Sequence, residues 1–128
     1  MTKDNKILIV EDDDDLRSLY ALLLNSRGYK TVSVASAEEA LALLSKDDQF
    51  SILLTDCCLP GIYGDQLIDK IRESGKTIKT ILMSNLLDVK DYAEKCHADG
   101  CFHKGDIFQL LECSFFLLLG IGPGNEIV

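Results

Sequence analysis

Long apolar runs are missing from this sequence of 128 residues. A membrane-spanning helix needs about 18 or more consecutive apolar residues, and the closest candidate, Phe115 to Ile121, is far shorter. A secretory signal peptide is also not evident. We therefore expect a cytoplasmic protein without a membrane segment. Its length predicts a single domain over residues 1–128, with a core at about 6–119 and a C-terminal tail at 120–128.

Basic residues are too few for a nucleic-acid-binding surface. Asp and Glu number 21 against 13 Lys and Arg, and the formal net charge is −8. Four of the acids are consecutive aspartates, Asp12 to Asp15. Phosphates of nucleic acids and anionic lipids repel such a chain, so neither partner is expected. Clustered carboxylates instead indicate hard cations such as Mg²⁺.

The five cysteines show no regular metal-binding spacing and no CxxC motif. Reduced thiols are therefore the expected state. Cys57 and Cys58 are neighbours in the sequence, so a disulfide between them would be strained.

Short apolar runs alternate with helical patterns along most of the chain. The runs predict strands at 7–10, 31–35, 51–55, 80–83 and 101–103. After the first strand, Asp14 or Asp15 suits the start of a helix that ends at Gly28. Ser36 with Glu39 forms a capping box. Later helices are expected to end at Gly75 and to cover about 88–97 and 106–118. Alternation with short connections predicts an α/β fold, a parallel sheet covered by helices on both faces.

Chemically active side chains follow the predicted strands at the carboxyl-terminal edge of the sheet, where sites form in such folds. A divalent cation offsets the repulsion between carboxylates, and a carboxylate beside Mg²⁺ can attack a phosphoryl group to form an acyl phosphate. A lysine and a hydroxyl can bind the transferring oxygens. The residues in question are Glu11, Asp12, Asp56, Ser84 and Lys104.

Four segments carry a resemblance to a known family: ILIVEDDDDLR (7–17), LLTDCCLPGIYGDQL (53–67), ILMSN (81–85) and ADGCFHKGD (98–106). Together they resemble the receiver domain of two-component response regulators, of which the chemotaxis regulator is one. The resemblance covers residues 6 to about 116. It implies a doubly wound (βα)5 three-layer sandwich of the flavodoxin-like type, with parallel strand order 2-1-3-4-5.

The resemblance also implies a role for each residue of the cluster. Asp56 is the expected phosphoacceptor, Ser84 the switch hydroxyl, and Lys104 the lysine that contacts Asp56 and later the phosphoryl group. Glu11 is expected to act on Mg²⁺ mainly through water. The implied metal site consists of Glu11, Asp12, Asp56 and the backbone carbonyl of Cys58.

In function, the resemblance implies a phosphorylation-dependent signalling switch. A sensor histidine kinase or a histidine phosphotransfer protein is the expected donor, and a downstream protein is the expected target. The chain is not expected to be an enzyme, since it assists only its own phosphorylation and dephosphorylation. No output domain follows in this sequence, so it acts through protein contacts or comes from a longer chain.

Several positions depart from the family pattern. Cys101 stands where tyrosine or phenylalanine is usual, and Gly105 replaces a common proline, so the usual aromatic switch is in doubt. Neither Cys58 nor Leu86 offers a group to orient attacking water, which predicts a slowly hydrolysed phosphorylated form. The apolar run at 115–119 predicts either a docking or homodimer surface or burial beneath the tail.

The sequence also bears on three alternative functions. A phosphohydrolase of the haloacid-dehalogenase type needs a second aspartate where this chain has Cys58. A flavin carrier needs a phosphate-binding loop where this chain has Asp12 to Asp15. A degenerate receiver that serves only as an interaction scaffold is left open by Cys101 and Gly105, although the intact acids, hydroxyl and lysine count against it. Oxidation of Cys57 or Cys58 beside Asp56 is a further hypothesis for blocking the site.

Overall fold

Five strands and three helices alternate along the part of the chain that the structure describes. The computed structural model describes residues 6–85, 94 and 98–104, with only the backbone of Phe102. The elements in chain order are β1 (Lys6–Val10), α1 (Asp14–Ser26), β2 (Lys30–Val34), α2 (Ala37–Leu44), β3 (Phe50–Asp56), α3 (Gly64–Glu73), β4 (Lys79–Ser84) and β5 (Gly100–His103). Several predicted features lie outside the described residues: the helices at about 88–97 and 106–118, the apolar run at 115–119 and the tail. The exception is Glu94, which is described and is helical.

All five strands form one parallel sheet in the order β2-β1-β3-β4-β5, as predicted. Asp56 at the end of β3 pairs with Met83 of β4, and Ser84 pairs with His103 of β5. The register therefore brings the carboxyl ends of the central strands to one edge of the sheet, where the predicted site residues lie.

The core has two halves, one on each face of the sheet. Because successive strand residues point to opposite faces, Leu8 and Val10 pack with α2 and α3 on one face, while Ile7 and Ile9 pack with α1 on the other. Burial on both faces explains why the strands are continuous apolar runs rather than alternating ones. Helices on both faces confirm the predicted three-layer arrangement.

The helix boundaries agree with the sequence except at the start of α1. The expectation that Asp14 or Asp15 caps this helix was wrong: Asp13 is the N-cap, and its Oδ1 accepts a hydrogen bond from the Leu16 N–H at 3.0 Å. Asp14 and Asp15 lie in the first turn, where their charges still favour the positive end of the helix dipole. Ser36 caps α2 as predicted, accepting from the Glu39 N–H at 3.2 Å.

A polar cluster ties α3 to β4 and to the residue before β5, away from the carboxyl ends of the strands. The Arg72 guanidinium donates to Asp99 Oδ2 at 2.7 Å and to the Ile78 carbonyl at 2.9 Å. The same Asp99 oxygen accepts from the Thr80 N–H at 2.8 Å. This cluster holds the last described strand in register with its neighbour.

None of the described helices is long and apolar enough to cross a membrane.

Candidate functional site

Three carboxylates meet at the carboxyl-terminal edge of the sheet. Glu11, Asp12 and Asp56 each present an oxygen, and these oxygens lie within 4.8 Å of one another. Glu11 and Asp56 are buried, whereas Asp12 is exposed. The structure thus brings together the three acids that the sequence predicted as a cluster. Because Asp12 is exposed, the cluster is open to solvent on that side.

Glu11 is fixed by hydrogen bonds to both its backbone and its side chain. Its N–H donates to the Val34 carbonyl at 3.1 Å, which extends the β1–β2 pairing by one residue. The Arg17 guanidinium donates to its carbonyl at 2.9 Å, and the Asp13 N–H donates to its Oε2 at 3.2 Å. The start of α1 therefore orients the Glu11 carboxylate, and Arg17 is a supporting residue that the sequence reasoning did not identify.

Lys104 bridges the two buried acids. Its Nζ lies 2.6 Å from Glu11 Oε1 and 3.1 Å from Asp56 Oδ2. Its backbone N–H donates to the Ser84 carbonyl at 2.8 Å, so β4 anchors the residue that follows β5. The predicted contact between Lys104 and Asp56 is present in the structure.

The electrostatics of the cluster favour a bound cation. Burial raises the pKa of Glu11, the charge of Asp56 adds to this, and the hydrogen bond from Lys104 opposes it only in part. Burial alone would lower the pKa of Lys104, but the hydrogen bond with Glu11 and the charge of Asp56 outweigh it, and the pKa is raised. Three ionised carboxylates with one ammonium leave an excess of two negative charges.

The residues present fit a magnesium ion. All the side-chain donors of the cluster are carboxylate oxygens, and Mg²⁺ binds such hard donors while keeping several waters. Exposed Asp12 leaves the room toward solvent that those waters and a phosphoryl oxygen would need. A divalent charge also matches the excess negative charge of the cluster.

The loop after β3 folds back over Asp56. The Cys58 N–H donates to Asp56 Oδ1 at 3.3 Å, and the Gly64 N–H donates to the Cys57 carbonyl at 2.9 Å. A Cβ atom built on Gly64 would lie 2.1 Å from the Asp56 carbonyl oxygen, so only glycine fits there. The sequence reasoning treated Gly64 as a loop marker, because its spacing from Asp56 carries no signal of this close approach.

Ser84 and Cys101 lie on β4 and β5, the next two strands of the sheet on one side of Asp56. Ser84 is buried at the end of β4, one residue beyond the strand partner of Asp56. Cys101 is half-buried on β5 and packs against the core on the α2–α3 face. His103 Nε2 lies 2.8 Å from the Asn85 carbonyl and donates to it, which ties the residue after Ser84 to β5. Gly105 and Leu86 lie outside the described residues.

Comparisons with known proteins place this geometry in a family. The family described as "Response regulator receiver domain" matches residues 7–111. The two-component response regulator ORR3 of Oryza sativa is 35% identical over 81 residues, a segment that covers 62% of this chain and 62% of ORR3. The match therefore spans less than two thirds of that relative.

Solved receiver structures share the fold. The receiver domain of a Francisella response regulator superposes with a TM-score of 0.80 at 21% identity, covering 89% of this chain and 96% of that one. The response regulator TrrA of Thermotoga maritima, in complex with Mg²⁺ and BeF, gives a TM-score of 0.78 at 27% identity, covering 92% and 99%. With the family match over most of its length, this chain belongs to the response regulator receiver domain family.

Proposed function

We propose that this receiver domain is a phosphorylation-dependent switch in which Asp56 accepts the phosphoryl group with the help of Mg²⁺. The observation that carries the proposal is the position of Asp56, buried at a strand end, among two further carboxylates and 3.1 Å from Lys104. Packing of the core does not require such a cluster, because burial of charged groups is costly unless they are paired and hydrogen-bonded.

Magnesium would be held by Asp12, Asp56 and the Cys58 carbonyl, with Glu11 acting mainly through water. When bound, it neutralises charge on the oxygens of the transferring phosphoryl group. Lys104 would also neutralise charge on these oxygens, since its ammonium already contacts Asp56 Oδ2. The Cys58 N–H holds Asp56 Oδ1, so that the acceptor carboxylate is oriented before a donor arrives.

In the transfer step, an oxygen of Asp56 attacks phosphorus, an Asp56 O–P bond forms, and the bond from phosphorus to the donor breaks. The acyl phosphate that results is stabilised by Lys104 and by the Ser84 hydroxyl. In this proposal Ser84 moves toward the phosphoryl oxygen, and Asn85 moves with it. The His103 contact to the Asn85 carbonyl then carries this movement to β5, where the usual aromatic residue is replaced by Cys101.

The donor in this proposal is a sensor histidine kinase or a histidine phosphotransfer protein, and the output is a contact with a downstream protein in the cytoplasm. The chain is a signalling module rather than an enzyme, since the reaction it assists is its own modification. Support for these roles comes from the family and from relatives such as ORR3, which is a two-component response regulator. Homodimer formation through the last helix remains a prediction.

Binding of beryllofluoride, an analogue of the phosphoryl group, tests this function. Fluorine NMR of the protein with Mg²⁺ should show a bound signal that disappears when EDTA removes the metal. Asp12→Asn should weaken magnesium binding by about 10-fold or more, whereas Asp15→Asn, a matched change at a neighbouring exposed aspartate, should leave it unchanged. A protein that binds neither Mg²⁺ nor beryllofluoride would favour the scaffold alternative.

A further inference from the structure

Two free thiols follow the acceptor aspartate directly. Cys57 is buried, with 4% of its surface exposed, whereas Cys58 is exposed. Burial raises the pKa of the Cys57 thiol to about 12, so the exposed Cys58 is the thiol that reacts first with an oxidant. An oxidant in solution can therefore reach one thiol of the pair while the other lies beside it, sheltered by the core.

The backbone that joins these thiols helps to hold the site. Cys57 donates its N–H to the Met83 carbonyl at 2.8 Å and accepts at its carbonyl from the Gly64 N–H at 2.9 Å. On the other side of the same peptide bond, the Cys58 N–H donates to Asp56 Oδ1 at 3.3 Å. The peptide between the two cysteines thus orients both the acceptor carboxylate and the loop that covers it.

A disulfide between these neighbours is incompatible with that arrangement. Adjacent Cα atoms across a trans peptide are about 3.8 Å apart, whereas ordinary disulfides span roughly 4.4 to 6.8 Å. No cis peptide occurs among the described residues. Closing the ring must therefore rotate the peptide between Cys57 and Cys58 and break its hydrogen bonds to Asp56 and Gly64. Strained disulfides of this kind are readily reduced again, which suits a reversible switch.

We propose that Cys57 and Cys58 form a reversible redox switch, in which a hydroperoxide oxidises the pair to a disulfide that disables Asp56 as acceptor. The Cys58 thiol is first oxidised to a sulfenic acid as the hydroperoxide is reduced to an alcohol or water. The Cys57 sulfur then attacks the sulfenic sulfur, its proton passes to the departing hydroxide, the S–S bond forms, and water leaves. A dithiol reductant returns both thiols. This switch rests on the proposed function, since it acts on the same aspartate.

The test treats the full chain with hydrogen peroxide and follows the product by mass spectrometry. The peptide containing both cysteines should lose two hydrogen atoms and resist alkylation until a dithiol is added. Beryllofluoride binding in the presence of Mg²⁺ should fall by about 10-fold to 100-fold and return after reduction. Cys58→Ser should show neither change, and Cys101→Ser, a matched substitution at a half-buried thiol, should behave like the unmodified sequence.

Two results would overturn the switch: peroxide treatment that gives no intramolecular cross-link, and a cross-linked protein that still binds beryllofluoride normally. Failure of the proposed function is distinguishable, because it would appear already in the reduced protein. In that case hydrogen exchange at the Gly64 amide still tests whether the disulfide changes the backbone beside Asp56. The disulfide should accelerate this exchange by breaking the bond to the Cys57 carbonyl, and unchanged exchange in the cross-linked protein would refute the proposal. Cys57→Ala, which lacks the second thiol, should likewise form no cross-link after peroxide treatment.

Discussion

Lys104 and Glu11 are 93 residues apart in sequence, yet Nζ of the lysine lies 2.6 Å from Oε1 of the glutamate. The same ammonium lies 3.1 Å from Asp56 Oδ2, and all three side chains are at most 9% exposed. One lysine directly after β5 therefore offsets two buried charges, one directly after β1 and one at the end of β3. The stability of this edge of the sheet is tied to the chemistry of the site.

Replacing Lys104 with methionine should destabilise the fold. Loss of one partner from a buried ion pair costs roughly 3 to 5 kcal/mol, because the remaining charge is left uncompensated. Mg²⁺ should restore part of this loss by supplying positive charge to the same carboxylates. Urea unfolding with and without Mg²⁺ measures both effects, and Lys46→Met, at an exposed lysine, is the control. Equal losses for the two variants would contradict the bridging role of Lys104.

Two glycine substitutions distinguish a steric clash with the Asp56 carbonyl from backbone strain away from the site. In Gly64→Ala the added methyl group would meet the Asp56 carbonyl, so we expect a loss of about 1 to 3 kcal/mol together with weaker Mg²⁺ and beryllofluoride binding. Gly75→Ala also strains the backbone, since the φ of Gly75 is +83°, but nothing lies within 4 Å of the added atom. That variant should lose about 1 kcal/mol and bind normally. Normal binding by Gly64→Ala would show that the loop does not position Asp56.

The polar cluster at Asp99 predicts a pH dependence of stability. Burial opposes ionisation of Asp99, but the Thr80 N–H and the Arg72 guanidinium outweigh it and lower the pKa. A carboxyl with a lowered pKa in the folded state stabilises the fold above its ordinary pKa of about 3.9, and this contribution is lost as the pH falls through the lower folded value.

Asp99→Asn should therefore cost roughly 1 kcal/mol at neutral pH, a small value because the pair is partly exposed. The difference from the unmodified sequence should shrink as the pH falls below about 4. Urea unfolding at several pH values measures it, with Asp48→Asn as the control at an exposed aspartate. A difference that is the same at pH 3 and pH 7 would exclude the ionised carboxylate as its source.

The lifetime of the phosphorylated form depends on water near Asp56. Cys58 is exposed two residues after Asp56 and carries no group suited to orient a water molecule. Under reducing conditions Cys58→Asn should shorten the lifetime by about an order of magnitude, whereas Cys58→Ala should leave it nearly unchanged. A lifetime of seconds in the unmodified protein would contradict the prediction that hydrolysis is slow.

The sequence predicted most of the fold because its strands are buried on both faces and its helices carry local end signals. Predicted strand boundaries differ from the observed ones by a residue at most at each end, and Gly28 and Gly75 do adopt positive φ after their helices. The cap of α1 was misplaced by at least one residue because four consecutive aspartates offer equivalent side chains. Only the actual turn shows that Asp13 has the cap position.

The strand order and the roles of the site residues followed from the resemblance, whereas the cluster of site residues followed from the predicted strand ends. Local patterns place residues at strand ends, but they do not show which strands are neighbours. The supporting contacts were missed for a related reason. The approach of Gly64 to Asp56 and the bond from His103 to the Asn85 carbonyl depend on how loops fold back in space, and no spacing along the chain encodes either contact.

Phosphoryl transfer from acetyl phosphate tests the central claim most directly. Incubation of the reduced protein with acetyl phosphate and Mg²⁺, followed by mass spectrometry, should add one phosphoryl group, and peptide mapping should assign it to Asp56. Asp69→Asn, at an exposed aspartate of α3, should be modified to the same extent, whereas Asp56→Asn should not be modified. Phosphorylation that persists in Asp56→Asn, or that proceeds equally well after removal of Mg²⁺, would contradict the account.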